Sequence, residues 1–461
     1  MPGGPGLRNL SPAAGTAAII RPRGASLRGA EKTVYRERAL LVGIVAPGAE
    51  GEEDDQLEEL ARLAETAGAT VEGVVLQRRD RPDPRTFVGS GKVAEISRRV
   101  ADLKIDCVLF NNDLSPAQVR NLEKDVGCRV LDRTELILDI FATHARSRQA
   151  KLQVELAQLE YTLPRLSPLG AHITGEQQAG GFGIGIGQRG PGEKQLEVDR
   201  RLARKRITTL RRQLRMSEER KRREVAQRTA ENTTVSLVGY TNAGKSTLMN
   251  ALTGSGVLVE DRLFSTLDTR TRIWTIREGI KVLLSDTVGF IRDLPHGLVA
   301  SFHATLEEVA QADLLLHVVD ASHPRAEEQI RVVEGVLGEI GCGEKPSLRL
   351  FNKIDRLRDP VEREILRNRH PGAILLSARS GEGLDALRER VAEILTRQLV
   401  DVEVEIPLSE GKLLAELPSW SVSVGDRHYG DGHVRMSLRV PPRVLYKLER
   451  FRLPSPAGGE R

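Results

Sequence analysis

The sequence predicts a multidomain α/β protein: an N-terminal parallel α/β domain, a helical hairpin linker, a P-loop domain and a small α+β C-terminal domain. Three observations carry this reading. The 461 residues are too many for one core of ordinary size and point to about three domains. Short apolar runs alternate with helical patterns in two separate regions, as βαβ units and parallel sheets require. Between those regions the leucines take up the period of long helices.

Composition bounds the function. An apolar share of 39% with 29% charged residues is that of a globular protein, and no run of 18 apolar residues exists to enter a bilayer. Cys107, Cys128 and Cys342 stand far apart and outside any Cys-x-x-Cys spacing, which argues against disulfides and zinc and for a reducing cytoplasm. The net charge is only +5 despite 69 basic residues, so nucleic-acid affinity would have to come from local clusters.

Residues 1–37 open with Gly, Pro, Ala and Arg and no acid before Glu31, the composition of a disordered tail. An organelle transit peptide shares the bias, but the repeated Gly and Pro leave no amphipathic helix. Residues 38–142 hold apolar runs at Ala39 to Val45, Thr70 to Leu76, Asp106 to Phe110 and Arg129 to Leu131, separated by helical patterns, hence the first parallel sheet. Within it, Gly89-Ser90-Gly91-Lys92 looks like the end of a phosphate loop, yet Thr86 occupies the place of the first glycine. It reads as a turn opening the helix Val93 to Val100.

Residues 143–230 predict the hairpin. Leu152, Leu156, Leu159 and Leu163 form one stripe, and Leu196, Ala203, Ile207, Leu210 and Leu214 the other. The second helix carries thirteen Arg or Lys against three Glu from Arg200 to Arg228, dense enough to suggest RNA contact over a merely solvated face. The loop Gly180 to Gly192 between the helices has too many glycines to pack on itself and reads as a tether or a probe that orders on a partner. Its match to the dinucleotide fingerprint, Gly185 to Gly190, fails for want of a preceding strand and because Pro191 follows.

Residues 231–398 carry the chemistry. Strand Thr234 to Val238 runs into Gly239-Tyr240-Thr241-Asn242-Ala243-Gly244-Lys245-Ser246 and a helix, the phosphate-loop pattern in its strand-loop-helix context. Backbone N–H groups would close around a β-phosphate, Lys245 would reach the β/γ oxygens and Ser246 would ligate Mg²⁺. Asp286-Thr287-Val288-Gly289 follows a strand, placing a carboxylate near the Mg²⁺ shell and the Gly289 N–H at the γ-phosphate. Asn352-Lys353-Ile354-Asp355 ends another strand, where the carboxylate can accept from the two donors of guanine that adenine lacks. Ser377-Ala378-Arg379 stands where such domains close over the base. Motifs in this order at strand ends predict a GTP-binding, GTP-hydrolysing domain. Phe290 occupies the place where Ras-like proteins carry a water-orienting Gln, so intrinsic hydrolysis should be slow. Residues 399–461 alternate strands around a helix, Gly411 to Leu417.

The chain also holds Gly89-Ser90-Gly91-Lys92, Arg189-Gly190-Pro191-Gly192-Glu193 with Gln195-Leu196-Glu197 and Asp199-Arg200-Arg201, Phe264-Ser265-Thr266-Leu267-Asp268, and the run Asp286 to His296. In these words it resembles the HflX family of ribosome-associated GTPases, in the Obg-like branch. Lys194 departs from the small hydroxyl residue usual after the second of these. The resemblance implies a P-loop GTPase domain that binds GTP and GDP, contact with the large ribosomal subunit and its RNA, and splitting or rescue of stalled ribosomes. It implies that the Gly-rich loop reaches toward the peptidyl transferase centre. Thr266 would join Ser246 on Mg²⁺, although by sequence alone Ser265 competes, and Lys245, Thr266 and Gly289 would be the catalytic group. Asn242 matches the residue with which potassium-activated GTPases hold a monovalent cation, making K⁺ a candidate second ion. ATP binding by the N-terminal domain, implied by some members, finds no complete motif here. A cytoplasmic monomer is expected, without membrane insertion and touching membranes only through ribosomes. The rival reading is a GTP-switched adaptor for another RNA or protein.

Overall fold

The computed structural model describes Val34 and residues 36–45, 52–165, 191–254, 263–264, 269–277, 280–292, 308–420, 423–425, 427–430 and 432–453. Of the expected tail at 1–37, residues 1–33 and 35 lie outside the described residues, as do the Gly-rich loop up to Gly190 and Ser265, Thr266, Leu267 and Asp268, whereas Val34 is buried in the core beside the first sheet.

The first sheet is parallel throughout and runs β2(Thr70–Arg78), β1(Arg38–Val45), β3(Cys107–Phe110), β4(Arg129–Asp132). Its connections are α1(Glu52–Thr66), α2(Ser90–Leu103) and α3(Pro116–Val126), and α4(Arg133–His144) follows the last strand. β1 and β3 are buried on both faces, which explains why they read as unbroken apolar runs rather than alternating ones. Gly89 is the N-cap of α2, so the phosphate-loop look-alike is a helix-opening turn, as its residues suggested. At α3 the Ser115 and Gln118 side chains form a reciprocal capping box, with Pro116 in the first turn. The helix α4 runs to His144 and so crosses residue 142, where the sequence suggested a boundary.

Two long helices come next, α5(Arg148–Thr162) and α6(Pro191–Glu231). Leu156, Ile207, Leu210 and Leu214 bury one another, with Leu152, Leu159 and Leu163 at the margin, so the stripes meet as their spacing predicts. Arg206 and Arg211 reach across to Glu155 and Glu160. Pro191 and Gly192, read as the end of the loop, belong to α6 instead, since proline suits a first helical turn whose N–H groups have no partner.

The second sheet has the order β10(Ile374–Leu375), β9(Ser347–Asn352), β8(Leu314–Asp320), β5(Thr234–Gly239), β7(Ile280–Asp286), β6(Arg270–Arg277). All its pairings are parallel except that of β6 with β7. β6 went unrecognised in the sequence because its alternation is half hidden: Trp274 and Ile276 are buried, but Ile273 is exposed on the other face. Around the sheet lie α7(Lys245–Thr253), α8(Ala326–Glu339), α9(Pro360–Arg369) and α10(Leu384–Arg397). The carboxyl ends of β5, β7, β8 and β9 converge, and there the motifs meet.

The C-terminal part is an antiparallel sheet, β11(Val400–Pro407) on β14(His433–Val440) with the short β12(Ser423–Val424) and β13(His428–Gly430). Its inner face packs on α11(Gly411–Trp420) and on α12(Leu445–Leu448). Arg443 anchors it to the second sheet through Asp313 and Thr233. The fold class is the α/β arrangement expected, and no helix among the described residues is long and apolar enough to cross a membrane.

Candidate active site

The phosphate loop leaves β5 and enters α7. Asn242 (φ 60°) and Gly244 (φ 95°) have left-handed backbones that curl the chain back on itself. Gly244 is required twice over, because a Cβ there would lie 2.3 Å from Asn352 Nδ2. Lys245 is buried inside the curl, and its Nζ donates to the Gly239 and Tyr240 carbonyls at 3.0 and 2.8 Å. Burial pushes its pKa down to about 8 against the pull of Asp286, and Lys353 lowers it further. A lysine held this way gains by meeting anionic oxygens.

Ser246 Oγ donates to Asp286 Oδ2 at 2.6 Å. A hydroxyl beside a carboxylate at a loop built for phosphates is a hard-oxygen donor set, which fits Mg²⁺; no cluster of three or more His, Cys, Asp or Glu suited to a metal occurs among the described residues. Gly289 passes so close to the loop that a Cβ would sit 2.8 Å from Thr241 Cα and 3.0 Å from Lys245 Nζ. Its neighbours turn elsewhere. The Thr287 hydroxyl donates to the Leu237 carbonyl at 2.6 Å and braces β5, while Val288 and Phe290 are core residues. Phe290 is also tied by its backbone: its N–H donates to Gly239 O, and its carbonyl accepts from Thr241 N.

The base-side motifs lock onto the same loop. Asn352, 2% exposed, donates from Nδ2 to the Ala243 carbonyl at 2.9 Å and accepts from Ala378 N–H at 2.9 Å. Lys353 has a left-handed backbone (φ 64°), and its Nζ donates to the Asn242 carbonyl and to Asp320 at 2.7 and 2.6 Å. Ser377 Oγ donates to Asp355 Oδ1 at 2.6 Å, aiming that carboxylate. Ile354 and Ala378 are buried, whereas Arg379 is exposed at the rim. The motifs thus meet through hydrogen bonds at the ends of β5, β7, β9 and β10.

Residues 54–142 match the family described as GTP-binding GTPase N-terminal, 144–228 the GTP-binding GTPase Middle Region, and 234–353 the 50S ribosome-binding GTPase. The chain is 44% identical to GTPase HflX of Magnetococcus marinus over 420 residues, 90% of this chain and 94% of that one. GTPase HflX of Escherichia coli is 44% identical over 408 residues, 88% of this chain and 94% of that one. The chain belongs to the HflX family of GTPases. A GTP-binding protein from the archaeon Sulfolobus solfataricus, solved with GDP, is similar at 25% identity over 78% of this chain and 99% of that one, with a TM-score of 0.40.

As an HflX GTPase the protein binds and hydrolyses GTP, and P-loop GTPases of this kind generally use Mg²⁺. Several contacts around this HflX site escaped sequence reasoning. The Tyr240 hydroxyl donates to Glu59 of α1, and Arg133 of α4 bonds Glu59, Asn111 and the Arg292 carbonyl. Phe264 stacks edge-on against Phe141 at 4.5 Å between ring centroids. Glu59, Asn111, Arg133, Tyr240 and Arg292, without the two phenylalanines, help to line a cavity of about 300 Å³ between the first sheet and the phosphate loop. No spacing in the sequence signals them, because most join segments more than a hundred residues apart.

Proposed function

We propose that the protein is a GTPase that binds the large ribosomal subunit, splits or rescues stalled ribosomes, and hydrolyses GTP quickly only there. The observation that carries the second half is Phe290. Its side chain is buried and its backbone bridges the phosphate loop, so the position that would orient an attacking water presents no polar group to one. In our reading a partner supplies that group, and the family description 50S ribosome-binding GTPase names the kind of partner. The exposed basic face of α6, including Arg204, Lys205, Arg212 and Arg215, offers charge suited to ribosomal RNA.

In this reading the loop residues 239–246 take the β-phosphate on backbone N–H groups. Lys245 exchanges its two carbonyl partners for β/γ oxygens, which stabilises charge as it builds. The close approach of Gly289 brings its N–H to the γ-phosphate. Ser246 would hold Mg²⁺, with Thr266 as its expected companion and Asp286 steadying the serine; the ion would neutralise phosphate charge. Asp355, aimed by Ser377, accepts from guanine and leaves adenine with unpaired partners. Asn242 is a candidate for holding K⁺ beside the phosphates.

Sucrose-gradient analysis of 70S ribosomes mixed with the full chain tests the first half. Free subunits, with the protein on the large one, should accumulate with a non-hydrolysable GTP analogue and not with GDP. Intact 70S particles in both states, with no protein on the large subunit, would favour an adaptor for another partner.

A further inference from the structure

The long basic helix does more than present charge. Lys221, in the middle of the Arg220 to Arg223 cluster, turns away from solvent, its side chain only 21% exposed. Its Nζ donates to Thr269 Oγ1 at 3.1 Å and pairs with Glu308 at 3.6 Å. Glu308 is itself buried, 8% exposed, and accepts from Thr269 Oγ1 at 2.8 Å and from Thr271 Oγ1 at 3.3 Å. From there the chain of hydroxyls continues, for Thr271 Oγ1 meets Ser285 Oγ at 3.1 Å across the β6–β7 register. Ser285 directly precedes Asp286, which accepts from Ser246. Glu308 is anchored from below as well, its carbonyl accepting from Ser236 Oγ of β5 at 3.2 Å.

We infer that Lys221 and Glu308 are positioning residues for GTP hydrolysis: they hold Thr269, three residues after Thr266, and through Thr271 and Ser285 the Asp286 end of β7. The physical reason is economy of alternatives. A carboxylate buried to this degree has few solvent contacts to fall back on, so its position is set by the lysine and the two threonine hydroxyls it meets. Those hydroxyls flank the start of β6, whose neighbour β7 delivers Asp286 to the serine at the mouth of α7. Orientation at Asp286 is therefore tied to where α6 lies against the sheet. A cavity of about 510 Å³ lies beside this pair, lined also by Gln149, Gln153 and Arg228.

The test uses the full chain. Removing Lys221 alone would leave Glu308 buried and unpaired, so the decisive variant is the neutral pair Lys221→Met with Glu308→Gln, checked for wild-type thermal unfolding. Single-turnover GTP hydrolysis should slow about 5- to 10-fold, and affinity for a non-hydrolysable GTP analogue with Mg²⁺ should weaken by a similar factor. GDP affinity measured with a chelator should not change, and Lys221→Arg should stay close to wild type. Wild-type hydrolysis and Mg²⁺-dependent affinity in the paired variant would overturn the inference. So would an equal loss of GDP affinity without Mg²⁺, since that would make the pair a structural support alone.

Discussion

Gly244, Asn242 and Lys245 show how one short stretch serves both fold and chemistry. The Gly244→Ala change would drive a Cβ into Asn352 Nδ2 and break the bond from that amide to Ala243, so the loop and the base-side motif would part together. GTP and GDP affinity should both fall by at least about tenfold, the scale of one buried hydrogen bond left unmade, as equilibrium titration would show. Equal loss for both nucleotides matters, because a γ-phosphate contact would discriminate between them. Asn242 has two reasons to be asparagine. Its left-handed backbone favours that residue on conformational grounds, and its side-chain oxygen suits a monovalent cation. Hydrolysis should be faster in KCl than in NaCl at matched ionic strength, and Asn242→Ala should lose the preference; an alanine variant that still prefers K⁺ would leave only the backbone role. At this scale the motif residues were readable, since phosphate chemistry imposes their spacing. What they bind within the protein was not. That Lys245 rests on two carbonyls, or that Tyr240 reaches Glu59, depends on contacts no spacing encodes.

Helices α4 and α6 each carry charge that their sequences display without disclosing where it points. In α4, burial pushes Glu135 up to about 7, with the charges of Asp132 and Asp139 adding to the effect. Burial likewise pushes Asp139 up to about 7, opposed by Arg129 and reinforced by Glu37. These carboxyls prefer their protons in the folded state. Below about pH 4 folded and unfolded chains are both protonated and nothing is lost, but as pH rises from there through 7 the unfolded chain releases protons more readily and stability falls. Glu135→Gln should therefore raise the unfolding midpoint by a few degrees at pH 8, with the gain fading towards pH 5, as scans across that range would reveal. In α6 the run from Arg200 to Arg228 looks uniform in sequence, yet the structure divides it. Lys221 is committed to Glu308, Arg206 and Arg211 to the partner helix, and Arg204, Lys205, Arg212 and Arg215 are exposed. Replacing those four with Gln should weaken large-subunit binding and reduce its salt slope by roughly one unit for each phosphate no longer neutralised, with GTP affinity intact. An unchanged slope would return this face to ordinary solvation. Neutralising Arg220 to Arg223 instead would mix two roles, because helical periodicity alone does not say which turn meets another sheet.

For the molecule as a whole, the two parallel sheets and the hairpin between them were legible because buried strands and paired helices leave plain periodicities. The antiparallel edge strand β6 was not, since one exposed isoleucine disguised its alternation. The joint between the first sheet and the phosphate loop was also invisible, although it brings Glu59, Arg133 and Phe141 to the margins of the nucleotide site. Phe290, which is buried, takes the position where a water-orienting residue would stand. If hydrolysis waits for the large subunit, single-turnover GTP hydrolysis by the full chain will differ with and without purified large subunits. The rate should be slow for the protein alone and rise on the order of 10³-fold with subunits, the scale of a catalytic group supplied in trans. Equal rates in the two conditions would contradict it.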